Sequence, residues 1–190
     1  AVAVVATFSD IPPTLYAVTV TPSGATSGES VTASVTQAKE GTNVTLTAAL
    51  GAGRRVALSA DGVVITPATI STDDGTATFP MPGAAVEVTA TFYSVYAITI
   101  TPVDAGVDES IAASVAEAAE DTTITLTASL GVGRRVALSA DGVDITPATI
   151  SADGDTATFT MPAKAVAITA TFSDIPPTLY AITITPTGAT

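Results

Sequence analysis

Histidine, cysteine and tryptophan are absent from the chain, and each absence removes a class of chemistry. Without His or Cys there is no Ser/His/Asp triad, no thiol nucleophile, no disulfide, no zinc site of the common kind and no imidazole switch. Aromatic residues make up only 5% of the chain, too few to line a substrate cleft, so no enzymatic activity is expected. Basic residues are scarce as well. Six Lys and Arg against eighteen Asp and Glu leave a net charge of −12, which repels polyphosphate and anionic lipid and argues against a nucleic-acid partner. No apolar run reaches the roughly 20 residues of a spanning helix, because Thr, Ser, Gly or Asp interrupts each one, so no membrane insertion is expected of this segment. The chain begins at Ala1 without an initiator Met, a basic n-region or a signal-like stretch, and is expected to be a window from a longer protein. The lack of Cys fits a reducing compartment or a bacterial exterior equally well.

What is present is a folded composition, 47% hydrophobic and 13% charged, written as a repeat. Tyr16 and Tyr96, Arg54 and Arg134, Met81 and Met161, and Phe92 and Phe172 are each separated by 80 residues. Residues 16–92 (module A) and 96–172 (module B) agree without a gap at roughly two-thirds of positions, as tandem duplication produces. The string AVAVVATFSDIPPTLYAVTVTPSGAT at 1–26 also recurs as AVAITATFSDIPPTLYAITITPTGAT at 165–190. Residues 1–8 therefore read as the last strand of a preceding module and 180–190 as the first strand of a following one. The short segment 93–95 links A to B, whereas SDIPPTL enters A at 9–15 and leaves B at 173–179. Its paired prolines favour a stiff polyproline II spacer.

Within a module the hydrophobic period is two. Val86, Val88, Ala90 and Phe92 alternate with Ala85, Glu87, Thr89 and Thr91, which predicts a strand with one buried face. Tyr16, Val18 and Val20 alternate in the same way. Further strands are predicted at 31–35, 44–48, 55–58, 63–65 and 76–79, with turns at Gly51 to Gly53, Asp61-Gly62, Pro67 and Asp73-Asp74-Gly75. Residues 114–121, SVAEAAED, alone have a helical look; the matching SVTQAKEG of module A ends in glycine and argues for strand then turn. Seven short strands in about 80 residues predict an all-β chain: tandem, small two-layer β modules, sandwich-like, Ig-like or β-grasp-like, in a linear array.

The endings MPGAAVEVTATF and MPAKAVAITATF, each preceded by TATF, and the central EGTNVTLTA and EDTTITLTA resemble the divergent B-repeat modules of internalin type. These occur in tandem in large bacterial surface and secreted proteins. The resemblance spans both modules from Tyr to terminal Phe, and implies an extracellular spacer or stalk at the cell surface, with adhesion roles for some members and no catalysis. Two departures stand out. Asp121 replaces the glycine that Gly41 supplies in A, and Gly53 and Gly133 are followed by Arg54-Arg55 and Arg134-Arg135 where the family usually places aromatics.

GRRVALSADGV is identical at residues 53–63 and 133–143 and holds all four arginines. The arginine fork suits an acidic neighbour in an adjoining module or copy; a bridge to Asp61 or Asp141 across a turn is the plainer reading, given the small worth of surface ion pairs. The acidic turns at 73–75 and 151–155 lack the ligand spacing of a calcium loop, and ordinary turn chemistry accounts for them, so no metal or other cofactor is expected. The Asn43-Val44-Thr45 sequon is lost in B, where Thr123 stands, and Lys39 and Lys164 have no counterpart in the other copy that would support isopeptide bonds. The flanking strands add Val2, Val4, Val5 and Phe8 at one end and Tyr180, Ile182 and Ile184 at the other as apolar edges for self-association with neighbouring modules or copies. The expected function is an extracellular structural repeat protein forming a stalk, sheath or filament; the alternative is an adhesin with a host or matrix ligand. Inward-facing aromatics favour the first.

Overall fold

The computed structural model describes residues 4–5 and 12–177, and among these every regular element is a strand. The chain divides into two compact units at Val95 and Tyr96. Module A holds β1 (Tyr16–Ser23), β2 (Ser30–Ala33), β3 (Gln37–Ala38), β4 (Asn43–Ala49), β5 (Arg54–Ala60), β6 (Thr69–Ile70), β7 (Thr76–Pro80) and β8 (Val86–Ser94). Module B repeats them as β9 (Tyr96–Val103), β10 (Ser110–Ala113), β11 (Glu117–Ala118), β12 (Thr123–Ser129), β13 (Arg134–Ala140), β14 (Thr149–Ile150), β15 (Thr156–Thr160) and β16 (Val166–Asp174).

Each module is two-layered. A five-stranded sheet runs β3-β1-β8-β5-β6 in A and β11-β9-β16-β13-β14 in B; a three-stranded antiparallel sheet runs β2-β4-β7 and β10-β12-β15. The period-two reading of β8 is realised in its burial, with Val86, Val88, Ala90 and Phe92 at 4, 0, 0 and 4% exposure. These side chains, with Val56 and Leu58 of β5, share one core with Val44, Leu46 and Ala48 of β4 and Ala77 and Phe79 of β7. The corresponding residues of B build a second core of the same make-up. All four described phenylalanines are buried, and Tyr16, Tyr93 and Tyr96 are half-buried.

β1 and β8, the first and last strands of module A, are hydrogen-bonded neighbours running parallel, with Val18 opposite Val86 and Ser23 opposite Thr91. β9 and β16 do the same in B. The chain thus enters each module at one end, here the leading end, and departs at the opposite, trailing end. A nine-residue strand spans about 30 Å between them.

Three expectations are corrected. The predicted strand at 63–65 is a loop in which Val63 makes one bridge to Ala60; the fifth sheet position goes to β6, paired to β5 through Val56 and Ile70. Gly62 at φ 66° turns the chain there, and Pro67 has no N–H to give a ladder. Gln37–Ala38 is an additional strand, too short for a periodicity to mark. The linker expected at 93–95 shrinks to one residue. β8 continues through Ser94 because β5 offers partners, Arg55 opposite Tyr93 and Arg54 opposite Ser94, and Val95 N–H then donates to Gly53 O at 2.9 Å. In B, β16 likewise runs to Asp174 and Ile175 N–H donates to Gly133 O at 2.8 Å. Residues 114–121 form strand then turn, as the glycine of the other copy indicated.

Candidate functional site

The densest polar constellation in each module is at the trailing end, where the β1–β2 loop, the β4–β5 turn and the end of β8 converge. β5 opens with Arg54, whose guanidinium lies against Glu29 of the β1–β2 loop. Nε donates to Glu29 Oε1 at 2.9 Å and Nη2 to Oε2 at 3.1 Å, a two-pronged, charge-assisted pair. Nη1 donates to Ser94 Oγ at 3.0 Å, and Nη2 also to Gly24 O. The Glu29 carboxylate accepts in addition from Thr26 N–H at 2.8 Å and Gly51 N–H at 3.3 Å. Its side chain is 2% exposed. One ion pair therefore ties together three segments that are distant in sequence, 24–29, 51–54 and the end of β8 at Ser94.

Module B repeats the arrangement. Arg134 Nε donates to Glu109 Oε1 at 3.0 Å and Nη2 to Oε2 at 3.1 Å, while Gly106 and Gly131 N–H groups donate to the same carboxylate. Nη2 reaches Asp104 O, and Nη1 pairs with Asp174 Oδ1 at 3.0 Å where A has the Ser94 hydroxyl. The Arg54 guanidinium, helped by the backbone donors, holds the Glu29 carboxyl down to about 2 against the partial opposition of desolvation. Arg134 and the Gly106 N–H do the same for Glu109, also to about 2. Arg134 itself is pushed up, by Glu109 first and Asp174 second.

The bridge expected from the arginines to Asp61 or Asp141 is corrected by this geometry. Arg54 opens β5 at the trailing end, and Asp61 follows its last residue at the other, about 20 Å away along an extended strand. Arg135, beside Arg134, donates from Nε to Ser173 Oγ at 3.2 Å. Sequence reading missed Glu29 and Glu109, yet a signal was present: of residues 24–29 only Ala25 and Glu29 keep their identity in the second copy.

The acidic turns also have backbone tasks. Asp73 Oδ1 accepts from Leu50 N–H at 2.8 Å and Asp153 Oδ1 from Leu130 N–H at 2.9 Å, fastening the β6–β7 loop to the β4–β5 turn and its counterpart in B. Among the described residues, no three carboxylates are grouped as metal ligands. Asp121 keeps the role of Gly41: both stand at positive φ, 63° and 78°, and donate N–H to Met161 O and Met81 O at 2.8 Å. Of the flanking candidates, Val4 and Val5 are exposed at 88 and 86%, while Val2, Phe8, Tyr180, Ile182 and Ile184 lie outside the described residues.

A family model for the divergent InlB B-repeat domain matches the chain twice, at residues 16–95 and 96–176. The chain belongs to the divergent InlB B-repeat family. Its two B-repeats meet at the same boundary, Val95 and Tyr96, as the two compact units, and such repeats are modules of bacterial surface proteins. Where B-repeats usually carry aromatics after the central glycine, these two carry the arginine of the Arg–Glu fastening. No curated protein and no solved structure matches the chain.

Proposed function

We propose that this chain is part of a non-catalytic extracellular stalk, sheath or filament in which B-repeats serve as length units. The parallel pairing of first and last strands carries this reading. A module whose chain comes in at one end and leaves at the other adds its length to whatever it is inserted in, and tandem copies extend that length without any further device. The polar chemistry described above supports it: the arginine, glutamate and aspartate contacts fasten loops within a module, and the four described phenylalanines are spent on the cores. The exposed paired prolines at Pro12-Pro13 and Pro176-Pro177 suit stiff spacers between pairs of modules.

Small-angle scattering of the chain at low concentration tests the reading. An extended particle with a longest dimension of about 60 Å or more, two strand lengths, is expected. A globular particle in which the modules fold back on each other defeats it.

A further inference from the structure

The two B-repeats differ where a chain of alternating modules would need them to differ. At the trailing end of B, Val103, Val107 and Val132 are exposed at 38, 92 and 106%. Module A has Ser23, Ser27 and Ala52 at these places. The same end of B carries Asp104, Asp108 and Asp174 where A has Gly24, Gly28 and Ser94. Three serine or alanine positions have thus become valines, and three uncharged ones aspartates, all around one loop cluster.

The leading ends differ in the opposite sense. In A, a shallow groove of about 320 Å³ is lined by Gly62, Val63, Val64, Pro80, Met81 and Pro82, with Val64 80% exposed. In B the positions of Val64 and Pro80 are Asp144 and Thr160. Lys39 is exposed at this end of A, where B has Ala119. The loops there hold Lys39, Glu40 and Asp61 in A, against Lys164, Glu120, Asp121, Asp141 and Asp144 in B. An acidic, valine-studded surface therefore meets less repulsion and more apolar area at the leading end of A than at that of B.

We infer that the trailing end of module B docks on the leading end of module A of a second copy of this chain, with Val107 and Val132 against the Val64–Pro80 groove and the aspartates facing Lys39. Such a contact joins two different surfaces, so it does not close on itself and propagates head to tail. It deepens the stalk reading and rests on it for its purpose; the contact itself is tested separately.

The chain has no cysteine, so single cysteines report proximity without background. A Val64→Cys chain mixed with a Val132→Cys chain, at high protein concentration and with a short bismaleimide, is expected to yield mixed dimer about tenfold faster than an Asp144→Cys and Ala52→Cys mixture. Val107→Ser or Lys39→Ala, each taking the residue of the other module, should slow the first reaction, with unchanged melting showing that the fold is intact. Sedimentation of the parent should show concentration-dependent association that Val107→Ser weakens. Equal rates in the two mixtures, dominant Val64→Cys homodimer, or a parent that stays monomeric at every concentration would each overturn the inference. An extended monomer in dilute scattering would leave the stalk reading standing in that case.

Discussion

Arg54 and Glu29, twenty-five residues apart in the chain, meet through two hydrogen bonds of 2.9 and 3.1 Å on a carboxylate that is 2% exposed. Removing either partner strands the other at a place that water hardly reaches. Glu29→Ala is expected to lower the melting temperature of module A by about 5–10 °C, with Arg54→Lys also destabilising because an ammonium cannot reproduce the fork. The double variant Arg54→Ala/Glu29→Ala should cost less than the sum of the single ones. Additive losses in calorimetry would show that the pair is not coupled.

The same carboxylates set a pH dependence. Glu29 and Glu109 are held at about 2 in the folded state against an ordinary 4.5. A depressed carboxyl contributes stability that is complete above its unfolded value and is lost as pH falls through its folded one. Melting temperatures should therefore decline between pH 4.5 and 2, and the Glu29→Gln/Glu109→Gln variant should show a shallower slope over that window. Parallel slopes for parent and variant would contradict the assignment.

Gly41 stands at φ 78° with Asp121 in its place in B at φ 63°. Gly41→Asp is expected to be nearly neutral, whereas the β-branched Gly41→Val should cost about 1–2 kcal/mol from backbone strain alone. Urea denaturation of the two variants compares them directly.

Leu46 is fully buried in the core of A, and the core of B is built from other residues. Leu46→Ala should cost about 2–5 kcal/mol, a large share of what an 80-residue domain holds. Calorimetry should then show module A melting early while the transition of B stays in place. A common shift of both would mean that the modules unfold as one.

Asp73→Ala removes the acceptor of Leu50 N–H at the β4–β5 turn. Hydrogen exchange at Leu50 should accelerate well beyond that at the amide of Leu46, which reports the sheet.

The strands were legible where burial is one-sided. The Val86–Phe92 alternation by itself states which face is inside, and the 80-residue offset delivers the second module with it. The 63–65 stretch misled because three apolar residues say nothing about direction, and Gly62 and Pro67 on either side deny them a ladder. The Arg54–Glu29 contact was hidden for a different reason. Its partners sit on the β1–β2 loop and at the start of β5, so no local spacing encodes the pair, and Asp61 looked nearer only because it is nearer in sequence.

β1 and β8 lie side by side and run the same way over six matched residue pairs, from Val18 with Val86 to Ser23 with Thr91. A pull on the two ends of the module drags these strands past each other along their length. Their shared hydrogen bonds then resist in shear and must fail together, whereas a hairpin pulled from its open end unzips one bond at a time. A module wired this way keeps its length under drag until it gives way in a single step.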